Sequence, residues 1–310
     1  GGFSKGDGVF PPACTFSTTV APIVQLGATP VFCDVEHRRY VPSVEQVMAV
    51  VTPRTKAIFI PNLIGSKPDW SELRRRLEGR PIVLIEDSCD TITHTEDSDM
   101  SVTSFYASHV ITAGGCGGMV MFNCEEQRKK ALMYRDWGRI GNNTEDVSER
   151  FAHNVDGIEY DFKFLYAVHG YNFKASEMNA AFGLKQLDKL DRFFVQRRKN
   201  VERYMERLKD VSHLVLPDDS GKYNWLAMPF LSPYRKQLLT YLEQHNVQTR
   251  VCFAGNITRH PAYREFYCEF PEADRCMREG FLLGAHHGLT EEDVDHVCDL
   301  IIAFKPEAQE

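Results

Sequence analysis

The chain has 310 residues, 43% hydrophobic and 25% charged, which suits one large α/β core with a smaller domain appended and gives no sign of disorder. Lys+Arg 36 against Asp+Glu 43 leaves a net charge of -7, so neither a nucleic-acid footprint nor a polybasic membrane patch is expected, and a positive site for an anionic substrate has to be local. Nine cysteines without a Cys-x-x-Cys pair argue against a zinc site or a secreted disulfide framework and for a reducing cytoplasm, and no window reaches the ~18 apolar residues of a membrane span.

Gly1 to Lys5 has no signal-peptide character. Ser4 to Gly8 reads as a turn leading straight into a strand, so the amino end is expected to lack a segment of its domain. Brief apolar runs then follow at Val9 to Ala13, Thr29 to Val35, Lys56 to Pro61, Pro81 to Glu86, Val102 to Tyr106 and Gly118 to Phe122. Helical patterns lie between several of them, at Ser17 to Leu26, Ser43 to Val51, Asp69 to Glu78 and Glu125 to Tyr134. The alternation predicts an α/β fold with a mostly parallel sheet covered by helices, which places ligands at the carboxyl ends of the strands. Asp34, Asn62, Asp87 and His109 sit at such ends.

Asp87 closes a buried-type strand, where a carboxylate either caps the next helix or faces a protonated ring nitrogen of a cofactor. Phe16 stands at a strand-to-helix junction and fits either the core or the face of a flat ring. The run Ala113-Gly114-Gly115-Cys116-Gly117-Gly118 after His109 reads as a turn or as backbone passing close to something.

Ile140 to Arg150 is polar and reads as a loop. The aromatic and polar alternation around Asp161 to Phe164 and His169 to Lys174 suits a segment lining a site or an interface. One long amphipathic helix is predicted from Ser176 towards Lys209, with Met178, Phe182, Leu187, Leu190, Phe194, Val201, Met205 and Leu208 as core and Arg197, Arg198, Lys199, Glu202 and Arg203 as a solvated face. The chain therefore divides into a large domain over 1–195 and a small α+β domain over 196–310. In the latter, Trp225 to Phe230 and Val247 to Phe253 read as strands, and Tyr234 to His245 and Glu291 to Phe304 as helices. Arg250 and Arg259 flank a polar loop containing Asn256, and are either solvated or a local anion site.

The order Gly6-Asp7-x-Val9, Pro12-Ala13-x-Thr15-Phe16, Pro30-Val31-Phe32-x-Asp34-Val35, Glu86-Asp87, Ser104-Phe105, the glycine run, Gly170-Tyr171-Asn172 and Glu177-Met178-Asn179-Ala180-Ala181 resembles the DegT/DnrJ/EryC1/StrS family of pyridoxal-phosphate sugar aminotransferases. The resemblance covers nearly the whole chain. It implies the type I-like aminotransferase fold and a homodimer with a shared active site. Asp87 would pair with the pyridine nitrogen, Phe16 would stack on the ring and Ser104 would hold the phosphate. Cys89 would lie against the cofactor, and Asn172 would reach the phosphate of the partner subunit.

The family's Schiff-base lysine falls five residues after that serine, and here the position is His109. A histidine there is similar to the branch containing the NDP-4-keto-6-deoxyhexose 3-dehydratases. Further segments match that branch: Glu86-Asp87-Ser88-Cys89-Asp90, Arg135-Asp136-Trp137-Gly138-Arg139, Tyr160-Asp161-x-Lys163, and Phe253-Ala254-Gly255-Asn256-x-Thr258-Arg259.

The resemblance implies a noncovalent cofactor, pyridoxal 5′-phosphate cycling with pyridoxamine 5′-phosphate, and loss of the 3-hydroxyl from a nucleotide-linked 4-keto-6-deoxy sugar, with His109 as base. Arg250, Asn256 and Arg259 would meet the substrate, and the setting would be deoxysugar or lipopolysaccharide O-antigen biosynthesis. Part of the branch carries an iron-sulfur cluster through a Cys-x-Cys pair just after the Asp-Trp-Gly-Arg segment. This chain reads Ile140 to Asp146 there, so no metal is expected, and an amino donor such as glutamate would regenerate the pyridoxamine form. The glycine run is one residue longer than the family's and lacks its glutamate. A nucleotide-sugar aminotransferase and a catalytically silent relative are the competing expectations.

Overall fold

The computed structural model describes residues 6–141, 144–221 and 223–307. The expected turn at the amino end and the polar run after Ile140 lie partly outside these residues. The large part contains β1 (Gly8–Phe10), α1 (Ser17–Gln25), β2 (Thr29–Pro30), α2 (Val44–Val50), β3 (Thr55–Pro61), α3 (Trp70–Arg76), β4 (Val83–Asp87), β5 (Met100–Ser104), β6 (Gly118–Phe122) and α4 (Glu125–Arg135). The strands form one sheet in the order β2-β1-β3-β4-β5-β6, parallel except for β6, which runs antiparallel to β5. A mostly parallel α/β sheet was the expectation, and it holds.

Local chemistry sets many of the boundaries. Ser43 and Gln46 close a capping box that starts α2, and Thr290 with Asp293 does the same for the last helix. Trp70, Leu73 and Leu77 on the α3 segment pack with Ile58, Ile60 and Leu84 into a core on one face of the sheet. The run expected as a strand from Thr29 to Val35 pairs regularly only at Thr29–Pro30, with one further bridge at Cys33.

The chain continues through α5 (Val147–Arg150), a hairpin of β7 (His153–Val155) and β8 (Ile158–Tyr160), then α6 (Glu177–Leu187) and α7 (Leu190–Leu208). The single helix expected here is two, separated at Asp188 and Lys189. No glycine or proline marks that junction, so the apolar period runs through it in the sequence. The break shifts the buried stripe to Phe193, Val201, Tyr204 and Leu208, while Met178, Phe182 and Leu187 are exposed instead of core. Arg197, expected on a solvated face, is only 2% exposed and donates through Nη1 to the Leu226 carbonyl at 2.7 Å. Burial pushes its guanidinium down to about 10.

The remaining part has β9 (Ala227–Leu231), α8 (Arg235–Gln244), β10 (Arg250–Val251), α9 (Pro271–Glu279), β11 (Gly280–Gly284) and α10 (Glu291–Ala303), with an antiparallel sheet ordered β10-β11-β9. The sequence boundary at residue 195 falls inside α7. Its core, including Trp225, Phe230, Phe281, Val294 and Ile301, is continuous with Ala13, Cys14 and Val20 of the large part. No described helix is long and apolar enough to cross a membrane.

Candidate active site

Alternation along β4 sends Glu86 and Asp87 to opposite faces of the strand. Glu86 is fully buried and accepts from Asn62 Nδ2 at 2.6 Å, Ser88 Oγ at 3.0 Å, Thr93 Oγ1 at 3.0 Å and the Thr95 amide at 2.8 Å. Asp87 sits at the strand end, where Thr19 Oγ1 of α1 donates to its Oδ2 at 2.8 Å and the Cys89 amide donates to its Oδ1 at 3.2 Å. One helix and one loop thus hold that carboxylate with its rotamer fixed. The Cys89 thiol is pushed far up by burial and then by the Asp87 charge, so it stays protonated.

His109 lies in the connection between β5 and β6, its amide donating to the Tyr106 carbonyl at 3.1 Å. Its Nε2 is 3.7 Å from Asp90 Oδ1, and the Tyr106 ring stands edge-on to it. Its Nδ1 is buried and has no hydrogen-bond partner among the described residues. Burial lowers the imidazole below the usual histidine range, and the Asp87 charge opposes that shift. Asp90, the carboxylate at 3.7 Å, carries less charge than an ordinary aspartate, because its own carboxyl is raised. Desolvation raises Asp90 to about 7, helped by repulsion from Asp87 and opposed by the Ile64 amide, which donates to it at 2.7 Å.

That shift has a sign. The native state keeps the Asp90 proton up to about pH 7, whereas the unfolded chain releases it near the ordinary aspartate value of 3.8, so this residue costs stability as pH rises across the window. Asp90→Asn keeps an acceptor for Ile64 and removes the titration. Urea unfolding at pH 5 and pH 8 is expected to give the wild type a loss on the order of 2–3 kcal/mol larger than that of the variant. Equal losses would mean that Asp90 does not titrate in this range.

Phe16 is 51% exposed at the start of α1 and meets the edge of Phe253, centroids 6.1 Å apart. It is therefore not core. Phe253 has φ 45°, strained for an aromatic residue, and was not legible in the sequence. The two loops are joined by backbone: the Ile257 amide donates to the Ala13 carbonyl at 3.0 Å and the Ala254 amide to the Thr15 carbonyl at 3.4 Å. Ser104 ends β5, and its Oγ accepts from the Tyr106 amide at 3.2 Å, which leaves its own proton to donate. Lys67, the lysine nearest to His109 on one side in sequence, is partly buried on the Glu86 side of β4, where that carboxylate supports its charge against desolvation.

The glycine run is a tight turn. Gly114, Gly115 and Gly117 have φ of 72°, 96° and 106°, and Asn179 of α6 donates to the Ala113 carbonyl at 2.5 Å. The Phe105 amide closes the turn by donating to the Gly117 carbonyl at 2.9 Å. Asn172 is exposed and bridges to Asp136.

The expected substrate residues fare unequally. The Asn256 side chain is fully buried and committed to Thr258, the Cys268 carbonyl and Asp274. Arg259 pairs with Asp274 and lies over the Tyr267 ring, while Arg250 is exposed and donates to its neighbour's carbonyl at 2.7 Å. Asn256 is thus a brace for the loop, with no polar atom left for a substrate.

The site offers a fixed carboxylate, an exposed aromatic face, a hydroxyl with its proton to donate and a buried imidazole nitrogen that has no partner among the described residues. An orphaned buried nitrogen calls for a group to satisfy it. A flat, phosphate-bearing, protonated heteroaromatic ring fits this donor set.

Residues 1–302 match the family described as the DegT/DnrJ/EryC1/StrS aminotransferase family. The chain is 33% identical to the lipopolysaccharide biosynthesis protein RfbH of Salmonella typhimurium, over 96% of this chain and 74% of that protein. It is 32% identical to the dTDP-4-dehydro-2,6-dideoxy-D-glucose 3-dehydratase of Saccharopolyspora spinosa, over 96% of this chain and 70% of that protein. Among solved structures, a GDP-4-keto-6-deoxymannose-3-dehydratase with a trapped PLP-glutamate geminal diamine superposes with a TM-score of 0.85 at 27% identity, covering 96% of this chain and 81% of that one.

Proposed function

Because the chain belongs to the DegT/DnrJ/EryC1/StrS aminotransferase family, we propose that it is a 3-dehydratase, which removes the 3-hydroxyl of a nucleotide-linked 4-keto-6-deoxyhexose. Its cofactor is pyridoxal 5′-phosphate, with the pyridoxamine form as the working state. The observation that carries the reading is His109 in the place of the family's lysine, with Nδ1 buried and unpartnered. A histidine can take a proton but cannot tether an aldehyde as a stable imine. When bound, the cofactor supplies an electron sink conjugated to the sugar carbon that bears the ketone.

The roles of the protein's own residues follow from their settings. Asp87, fixed by Thr19 and the Cys89 amide, holds the proton on the ring nitrogen. Phe16 covers one ring face, and Ser104 donates to the phosphate. Asp90 faces Nε2 at 3.7 Å, and the buried, unpartnered Nδ1 is the nitrogen that accepts the proton whose removal drives out the 3-hydroxyl as water. Glutamate serves as amino donor, so the net change converts sugar and glutamate to the 3-deoxy ketosugar, 2-oxoglutarate and ammonia.

The reading includes a second copy of the chain. Phe173 and Met178 are 70% and 83% exposed, and Trp137, Phe164, Tyr166 and Phe182 are exposed in the same stretch of chain. So much open apolar surface is characteristic of an interface. Asn172 lies within it, from where its amide would reach the phosphate bound to the partner subunit.

The test is incubation with pyridoxal phosphate, glutamate and a panel of nucleotide-linked 4-keto-6-deoxyhexoses. A 3-deoxy ketosugar formed in step with 2-oxoglutarate is expected. A 4-amino sugar that keeps its 3-hydroxyl, or a cofactor fixed to the protein by borohydride, would replace this reading with an aminotransferase.

A further inference from the structure

Three of the cysteines that are scattered in sequence meet in space. The Sγ atoms of Cys14, Cys252 and Cys276 all lie within 4.8 Å of one another, and the residues are 0%, 1% and 4% exposed. They come from three segments: the loop after β1, the turn after β10, and α9. The spacing rule that argued against zinc looks for pairs on one hairpin, so it could not see a site assembled across 262 positions of sequence separation between Cys14 and Cys276.

The surroundings are built for close approach. A Cβ at Gly280 would come within 2.7 Å of the Cys252 Cβ and 2.5 Å of the Cys276 carbonyl, so glycine at 280 is what lets these two cysteines converge. The cluster lies in the large apolar core together with Tyr40. The Tyr40 hydroxyl is buried without a hydrogen-bond partner among the described residues, and it is near enough to feel all three sulfurs. A single buried thiol packs as a small hydrophobe. Three in mutual contact beside an unsatisfied hydroxyl are soft ligands with a donor at hand.

We propose that Cys14, Cys252 and Cys276 form a structural site for one thiophilic closed-shell cation, with zinc as the ion to test. Metal–sulfur bonds of about 2.3 Å in a tetrahedral arrangement put sulfurs about 3.8 Å apart, within the spread found here. Binding releases three thiol protons, and three thiolates around a divalent ion leave one negative charge. The Tyr40 hydroxyl donates to that excess charge or supplies the fourth ligand. The ion ties the loop that carries Phe16 to the turn that carries Phe253, well apart from His109 in role.

The full-length chain, produced with zinc in the medium and purified with its cofactor but without chelator, is to be assayed for metal content. About one zinc per chain is expected, falling below about 0.1 in Cys252→Ala and Cys276→Ala. Cys116→Ser and Cys124→Ser, both at exposed positions, keep it. Because alanine at a core position weakens folding, wild-type protein refolded with cadmium provides a second measure, a thiolate-to-metal absorption band in the ultraviolet. A metal-free chain with nine reactive thiols in denaturant would overturn the site. So would iron in place of zinc, a chain two mass units lighter through a disulfide, or folded alanine variants that retain zinc.

Discussion

His109→Asn is expected to lower turnover by about 10³-fold while cofactor binding stays within a few-fold of wild type. Asparagine approximates the ring in size and offers polar atoms to the buried position that Nδ1 occupies, so the fold has little reason to respond. What it cannot do is accept and return a proton near neutral pH. Asp87 and Ser104, which the proposed reading gives to ring and phosphate, are untouched. Measured turnover of the 4-keto sugar with glutamate, beside a cofactor titration by absorbance, separates chemistry from binding. A variant within tenfold of wild type would remove His109 from the role of base. The same assignment predicts a rise of activity with pH through a value below the usual histidine range, since burial depresses the imidazole.

Glu86→Ala should be the most damaging single change to stability near the site, on the order of 3–5 kcal/mol. The residue is fully buried, and removing its carboxylate strands the Thr95 amide and takes an acceptor from Asn62, Ser88 and Thr93, which keep only their bonds to one another and to Thr91. Glu86→Gln keeps one acceptor but turns an amide donor towards the others, so a smaller loss, on the order of 1–3 kcal/mol, is expected. Urea unfolding at pH 7 measures both. The alanine variant losing less than about 1 kcal/mol would mean that the network relaxes or admits water. Because Glu86 is adjacent to Asp87 at the end of β4, weaker cofactor binding should accompany the instability.

Much of this could be read from residue order. Short β-branched runs alternating with capped amphipathic helices announce a parallel sheet, and the residues that carry chemistry are at the strand ends where such sheets present them. Asp87 and His109 were visible because each closes a strand or follows one. What stayed hidden depends on contacts between distant segments. Arg197 looks like one charge among several on a polar face, and only tertiary packing turns it inward onto the Leu226 carbonyl. Asn256 resembles a substrate ligand by its neighbours, yet Asp274 and the Cys268 carbonyl, which claim its amide, lie 18 and 12 residues away. The break between α6 and α7 carries no residue that stops a helix, so periodicity passes over it. Asp90 and Thr19 gain their meaning from His109 and Asp87, and neither has a local signature. The β11 strand, Gly280–Gly284, is a short apolar run directly after α9, and its pairing with β9 and β10 depends on segments about 30 to 50 residues away.

The pairing of the Ala13–Thr15 loop with the Ala254–Ile257 loop also sets an order of events. These segments are about 240 residues apart, so closing that contact costs the chain more loop entropy than pairing strands that are neighbours in sequence. The aromatic wall made by Phe16 and Phe253 therefore comes into being among the last contacts made. During refolding, helical circular dichroism should recover well before the protein perturbs the absorbance of pyridoxal phosphate. Capture of the cofactor then marks the completion of the molecule, and a nascent chain still lacking its final hundred residues holds the His109 imidazole but not the wall that the proposed reading sets beside a bound ring.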